Sequence, residues 1–339
     1  MARVLVTGGN GFIANWCIVQ LLEAGHDTVT TVRNATRESE VRAALDAHGT
    51  STAQLEFAFV DLMDNGGWDE AMAGCEHVLH VASPLSADES DPEQIIAVAR
   101  EGTLRVLAAA RRTHVRRVVL TSSCAAATPP TTQLSGTADE TIWTDTDDPG
   151  LAAYRRSKTL AERAAWDYAA DARGFELVTI LPAAVFGPPL SAASVGPLQF
   201  ISSLLDGSAM AIPRLGFEVV DVRDVAAAHL LAMASPDAAG QRFIVSGDVL
   251  WFADIADILR EHLGAEAAQV PSATLSDDEF RSLAEVVPQL RTLLPLLGRD
   301  LQHSSAQAKR ILGWTPRSPV DTIVDAARRA LEFATRPSP

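Results

Sequence analysis

From the N-terminus, short apolar runs alternate with stretches in which apolar residues recur every three or four positions. Residues 3–7 read as a strand and 12–24 as a helix. Residues 28–33 form the next strand and 36–48 a polar helix. Residues 55–61 make a third strand, 68–73 a short helix and 76–82 a fourth strand. A long helical pattern covers 92–112, a fifth strand 117–122, a helix 152–172 and a sixth strand 175–181, stopped by Pro182. Alternation of this kind predicts a parallel sheet covered by helices on both faces. Val118, Val119 and Leu120 give the unbroken apolar run of a strand buried on both sides. After Pro182 the alternation breaks. Gly187-Pro188-Pro189 and Gly196-Pro197 mark loops. Residues 219–221 and 243–246 read as short strands returning to the sheet, and from about 248 the pattern is helical with no strand signal. Residues 128–149 are a long polar stretch, expected as a loop beside a site.

The expected fold class is therefore α/β: a doubly wound parallel sheet with a smaller, mainly helical C-terminal region. Residues 1–182 with about 215–247 would bind a nucleotide. About 183–214 with 248–339 would bind substrate.

Composition narrows the partners. Of 339 residues, 47% are hydrophobic, ample for a large core, and the net charge of −15 argues against a basic nucleic-acid-binding face. No apolar segment reaches the ~18 uncharged residues of a membrane span. The chain opens directly on an apolar, strand-like run with no leader pattern. Cys17, Cys75 and Cys124 show no metal or disulfide spacing. A cytoplasmic protein acting on a small molecule, without a metal, is expected.

The first strand runs into Thr7-Gly8-Gly9-Asn10-Gly11-Phe12-Ile13-Ala14, which opens a helix. Strand, glycine turn and helix together are the setting of a dinucleotide site of Rossmann type. Gly8 permits the tight turn, Gly11 lets a pyrophosphate approach the backbone, and the free N–H groups of the helix start receive it. An acidic residue at the end of the second strand would select NAD. Here that strand ends Thr31-Val32-Arg33, and Arg37 follows. Both arginines offer donors for a 2′-phosphate, which favours NADP(H); the bland alternative is two solvated surface cations. Asp61, ending the third strand, could accept from the adenine amine. Val81, Ala82 and Ser83 end the fourth with the small residues needed where a cofactor crosses the sheet edge.

The sharpest feature is Tyr154-Arg155-Arg156-Ser157-Lys158. The chain has two tyrosines and two lysines, so this spacing is informative. On a helix, residues four apart share a face. A phenol of ordinary pKa near ~10 is a poor proton donor at neutral pH, and a neighbouring ammonium would lower that value. Thr121-Ser122-Ser123 closes the fifth strand with hydroxyls at the same edge. Spacing alone leaves open which serine would bind a substrate oxygen. Trp143, Trp166, Trp251 and Trp314 could line a pocket, though core packing is commoner. His80 and His229 are expected to be structural. No basic cluster stands out in the substrate region.

These motifs resemble those of the extended short-chain dehydrogenase/reductases over nearly the whole chain. The shared pieces are the glycine turn, Thr121-Ser122-Ser123, the Tyr154/Lys158 pair, Leu181-Pro182-Ala183-Ala184-Val185-Phe186-Gly187-Pro188 and Ala308-Lys309-Arg310-Ile311-Leu312-Gly313-Trp314. Within the family, the chain is most similar to the branch of dihydroflavonol, cinnamoyl-CoA and yeast-type aldehyde (methylglyoxal) reductases. Gly11-Phe12-Ile13-Ala14, Val32-Arg33 with Arg37, and Asp221-Val222-Arg223-Asp224-Val225-Ala226 carry that likeness.

The resemblance implies that Ser123, Tyr154 and Lys158 are catalytic. It implies that Asp61 and Leu62 meet adenine, and that Pro182 and Val185 meet the nicotinamide side. One departure is Glu101, where many members carry an asparagine that relays protons. By analogy, helices 92–112 and 152–172 would pair across a homodimer. The resulting expectation is an NADPH-dependent carbonyl reductase reducing a small aldehyde or ketone, Tyr154 donating the proton. Two rivals share the fold: an NAD-dependent sugar-nucleotide epimerase or dehydratase, and a non-catalytic nucleotide-binding protein.

Overall fold

The computed structural model describes residues 1–83, 92–171, 174–192 and 198–335. The chain runs β1 (Arg3–Val6), α1 (Phe12–Glu23), β2 (Asp27–Val32), α2 (Ala35–His48), β3 (Leu55–Phe59), α3 (Trp68–Ala71), β4 (His77–His80), α4 (Pro92–Arg112), β5 (Arg117–Thr121), β6 (Ser135–Ala138), α5 (Ala153–Asp171) and β7 (Glu176–Pro182). It continues β8 (Ala184–Phe186), α6 (Gln199–Leu205), β9 (Gly216–Asp221), α7 (Val222–Ala234), β10 (Arg242–Val245), β11 (Val249–Trp251), α8 (Phe252–Leu263), α9 (Asp277–Val286), β12 (Asp300–His303) and α10 (Pro319–Thr335).

Seven strands pair in parallel in the order β3-β2-β1-β4-β5-β7-β10. This is the Rossmann-type sheet that the alternation predicts. Strand order reverses between β1 and β4, which opens a crevice at the carboxyl ends of those strands. Each sheet face has its own core. On one face α1, α2 and α7 pack through residues such as Ile18, Leu45 and Val225. On the other, α3, α4 and α5 pack through Trp68, Leu107 and Ala165. A further apolar cluster, with Ile201, Phe252, Leu259, Phe280 and Ile323, lies under α6, α8, α9 and α10.

Several strands differ from expectation. Residues 219–221 do not return to the main sheet. They end β9, which pairs parallel with β8 and antiparallel with β11 in a separate three-stranded sheet. Pro182 ends β7, and Gly187 follows β8 at φ +115°, so the chain leaves the main sheet before β9 forms. The polar stretch 128–149 holds β6, and β12 pairs with it in parallel. Their sequences, Ser-Gly-Thr-Ala and Asp-Leu-Gln-His, have no apolar alternation to reveal them. The Gly196-Pro197 loop expectation lies outside the described residues.

Three buried polar groups lock this arrangement. Arg117, 1% exposed, donates to the carbonyls of Ala232, Met233 and Ser235, filling the acceptors that the end of α7 leaves open. Asp221 caps the start of α7 by accepting from Arg223 N at 2.8 Å. Trp314, 2% exposed, packs into the α1/α7 core and donates Nε1 to Asp224 O at 2.8 Å. Trp314→Ala should lower the unfolding free energy by about 3–5 kcal/mol in urea denaturation; a loss under about 1 kcal/mol would show that this late segment does not brace the large core.

Candidate active site

The turn after β1 owes its shape to close approach. Gly8 has φ +71°, and a Cβ on Gly9 would lie 2.3 Å from Thr30 Oγ1 of β2. Thr7 Oγ1 accepts from Val81 N at 3.0 Å and Ala82 N at 2.9 Å, which pins the end of β4 to the end of β1. Its own proton then goes to His80 Nδ1, 2.9 Å away. Burial, aided by the Lys158 charge, pushes the His80 pKa down to about 3, which suits this neutral acceptor. His229 is likewise buried, its pKa lowered to about 4 by burial, with Thr121 Oγ1 and Val225 O as partners. Both histidines are thus buried and hydrogen-bonded within the fold. Helix α1 starts with no side-chain cap and no acid in its first turn, so its free N–H groups face the turn unfilled by side chains.

A cavity of about 1070 Å³ runs along this edge. That is the size of a large ligand site or slightly more. Gly8, Asn10, Gly11, Phe12 and Ile13 line it at the glycine turn. Arg33, Leu62, Val81, Ala82 and Ser83 line it at the neighbouring strand ends. Ser123, Tyr154, Lys158, Pro182 and Val185 line its inner part. Three of the residues singled out from sequence stand outside the lining. Thr7 lies beneath, holding strand ends. Arg37 pairs with Glu40 on α2 at 2.7 Å. The Asp61 carboxylate accepts from Met63 N at 2.8 Å. Trp143, Trp166, Trp251 and Trp314 do not line the cavity either, whereas Trp68 does. Glu101 pairs with Arg105 on the exposed side of α4, at 3.2 Å.

Helix α5 brings Tyr154 and Lys158 to the end of β5. The choice between serines is made by bonding. Ser122 Oγ donates to the buried Glu162 at 2.6 Å. The Ser123 hydroxyl instead accepts from Ala125 N at 3.2 Å and lies near enough to the Tyr154 phenol to favour its phenolate form. Tyr154 keeps 36% of its surface open, on the cavity that it lines. Dense packing elsewhere still dominates its acidity: burial pushes the phenol pKa up, against the Ser123 hydroxyl and the Arg155 charge. This differs from the expectation that Lys158 would lower it. Lys158 is 8% exposed, and burial pulls its own pKa down to about 8, against the pull of Glu162. Its ammonium makes no hydrogen bond to a described residue.

Glu162, one turn beyond Lys158, carries no signal in sequence and proves central. Its carboxylate accepts from Ser122 just past β5, Thr179 on β7 (2.8 Å), Trp166 (3.3 Å) and Arg242 on β10 (2.9 Å). Arg242 also donates to the carbonyls of Glu140, Ile142 and Ala126, and lies 3.7 Å from the Trp143 ring centroid. The far wall holds another unforeseen set. Glu218 accepts from His303 N at 2.5 Å and Ser246 Oγ at 2.9 Å, its second oxygen lies 2.5 Å from His303 Nδ1, and His303 Nε2 is 3.0 Å from Thr128 Oγ1.

With the geometry in view, residues 4–246 match the NAD dependent epimerase/dehydratase family. The chain belongs to that family, and within it to the extended short-chain dehydrogenase/reductases. It is 38% identical to cinnamoyl-CoA reductase 1 of Petunia hybrida over 259 residues, 76% of each chain. It is 35% identical to tetraketide alpha-pyrone reductase 2 of Arabidopsis thaliana, over 77% of this chain and 82% of that one. Among solved structures it is similar to the yeast methylglyoxal/isovaleraldehyde reductase Gre2 complexed with NADPH. There the identity is 27%, the TM-score 0.81 and the coverage 98% and 99%. Among the described residues, no helix is long and apolar enough to cross a membrane and no group of side chains could hold a metal.

The buried ammonium yields a linkage prediction. A lysine whose folded pKa lies below its unfolded value costs stability while protonated. That cost is full below about pH 8 and disappears as pH rises through the unfolded value near ~10.4. Lys158→Met should therefore be more stable than wild type at pH 7, by roughly 1–3 kcal/mol, with the gap narrowing towards pH 10. Urea denaturation across that range checks it, and a gap that widens with pH would contradict it.

Proposed function

We propose that the protein is an NADPH-dependent carbonyl reductase that reduces a small aldehyde or ketone to an alcohol, with Tyr154 as proton donor. One observation carries the reading. Ser123, Tyr154 and Lys158 meet in a cavity that also takes in the glycine turn and an unpaired arginine at the end of β2. Relatives named as reductases and the NADPH-bound structure support it.

The residues fit a phosphorylated dinucleotide. Gly8 and Gly9 let the turn pack against Ala82 and Thr30 where a Cβ would clash, and α1 presents uncapped N–H groups beside the cavity. Arg33 is exposed at the cavity rim, with no side-chain partner among the described residues, and no acid ends β2 to compete for a ribose hydroxyl. Arg33 would hold the 2′-phosphate, and Arg37 would do so only by leaving Glu40. Thr7 would act by fixing strand ends, Leu62 and Asp61 would flank the adenine end, and Pro182 and Val185 the nicotinamide end. On this reading residues 1–182 with about 215–247 serve the cofactor, and the remainder shapes the substrate end.

Bound NADPH would supply the hydride. The protein's own part is positioning and proton transfer. Ser123 and Tyr154, side by side on the cavity wall, together hold the substrate oxygen. Tyr154 Oη gives its proton to that oxygen as negative charge develops. A phenol whose pKa is raised stays protonated at neutral pH and is therefore loaded for reduction. The Lys158 ammonium, free of acceptors among the described residues, is available to ribose hydroxyls and to the phenolate left behind. Alcohol oxidation is the same path reversed.

Oxidation of NADPH at 340 nm, followed over methylglyoxal, aliphatic and aromatic aldehydes, diketones, ketoesters and cinnamoyl-CoA, tests the proposal. Turnover should be lost, by about 100-fold or more, in Tyr154→Phe. Arg33→Ser should cost NADPH about 10–100-fold in affinity while sparing NADH. Folded, cofactor-binding protein that turns over no carbonyl, or that carries tightly held NAD, would overturn the reading in favour of an epimerase or a non-catalytic protein.

A further inference from the structure

The protein is acidic overall, yet the described side chains lining its cavity have the opposite balance. Arg33, Arg155, Lys158 and Arg299 face a single carboxylate, Glu218. Both oxygens of Glu218 are already engaged by His303 and Ser246. If Arg33 and Lys158 serve the cofactor, two cations remain at the substrate end.

Arg299 is 7% exposed and fixed in place. Its Nε donates to Gln133 O at 2.9 Å and its Nη2 to the carbonyls of Pro129 and Pro130 at 3.0 Å. No described residue accepts from its Nη1. Arg155 is half-buried beside Tyr154 in the first turn of α5, and its guanidinium has no hydrogen-bond or ion-pair partner among the described residues. Burial lowers the pKa of both, and the charge of Arg155 adds to the lowering of Arg299. Two guanidiniums are thus held within electrostatic reach of each other, partly desolvated and with unused donors; the Asp148 carboxylate acts on Arg299 at a distance, its oxygens bonded to Thr131 and Gly150, and among the described residues no carboxylate is hydrogen-bonded to either guanidinium. Around them the wall is apolar, with Phe217, Leu296 and Leu301.

We propose that Arg155 and Arg299 form an oxoanion subsite, so that the preferred substrate is an oxo-acid: a carbonyl carbon for reduction, a short apolar spacer, and a carboxylate. The inference rests on the carbonyl-reductase reading and specifies its substrate class. A carboxylate can take two parallel N–H donors from the Arg155 guanidinium and one more from Arg299 Nη1, and it relieves the repulsion between the pair. Sequence hides the subsite, because Arg155 and Arg299 are far apart along the chain. A diphosphate offers similar chemistry. The carboxylate is favoured because Arg299 already spends three of its contacts on carbonyl oxygens, which leaves donors for one small anion.

The test compares kcat/KM for pyruvate, acetoacetate and levulinate with that for their methyl esters, in wild type and in Arg155→Gln and Arg155→Lys. Any effect of Arg155 on the Tyr154 phenol acts on acid and ester alike, so the acid-to-ester ratio is the readout. At one or more spacings the acid should be preferred. Arg155→Gln should lower that ratio by about tenfold or more, and Arg155→Lys should restore part of it. Ester preference at every spacing, or a ratio untouched by Arg155→Gln, would overturn the subsite while leaving the reductase reading intact. Absence of turnover with acids and esters alike, while aldehydes or diketones are reduced, would overturn the subsite; absence of turnover with every one of these carbonyls would overturn the reductase reading instead. Calorimetric titration of the same acids, and of UDP-glucose, into the full-length protein then decides the subsite. Acid binding that weakens in Arg155→Gln upholds it. No binding, or binding only of UDP-glucose, overturns it.

Discussion

The site depends on one buried ion pair. Glu162 and Arg242 meet at 2.9 Å with both side chains removed from water. Isolated burial of either charge would be costly, and the pair is tolerable because its remaining lone pairs and N–H groups are filled. The partners matter more than the pair. Ser122 and Thr179 tie Glu162 to β5 and β7, while Arg242 reaches from β10 to the carbonyls of the 140–142 segment. Helix α5 is thereby held against three adjacent strands at the height of its third turn. Lys158 stands one turn before and Tyr154 two. Their reach over the end of β5 follows from that anchorage, and so does the commitment of Ser122 that leaves Ser123 to Tyr154.

A second constraint is electrostatic. The chain is strongly acidic, and its carboxylates are mostly on the outside or bound into pairs. Among the described residues, Arg155, Lys158 and Arg299 on the cavity wall keep N–H donors without protein acceptors, and such donors would meet an entering negative group at little cost in reorganisation. Tyr154 fits the same scheme. Burial raises the pKa of its phenol, while Ser123 and Arg155 favour the phenolate. The side chain is thus poised between the two states by groups that come from different elements.

The doubly wound sheet was legible because each strand buried on two faces must be an apolar run, and each helix packed on a sheet must be amphipathic. The glycine turn and Tyr154/Lys158 were legible because their chemistry is local in sequence. What escaped was non-local. β6 and β12 gain their pairing from each other, over a gap of some 160 residues, and neither carries an apolar pattern. β9 was visible as a strand, but its sheet was decided by where β8 leaves the main layer. Glu162 looks like any helix acid until four partners converge on it, and Arg155 and Arg299 form a pair only in three dimensions. Arg37 shows the converse. Its spacing pointed to the cofactor, yet a glutamate one turn on takes its guanidinium.

Transfer of label tests the central claim most directly. NADPH deuterated at the transferable position of the nicotinamide would be incubated with the protein and a carbonyl substrate, and the product analysed by mass spectrometry. The account predicts an alcohol carrying deuterium on the former carbonyl carbon, formed by wild type and not by the Tyr154→Phe protein. NADPH that binds and is recovered with its label intact, with no labelled alcohol from any carbonyl offered, would contradict it.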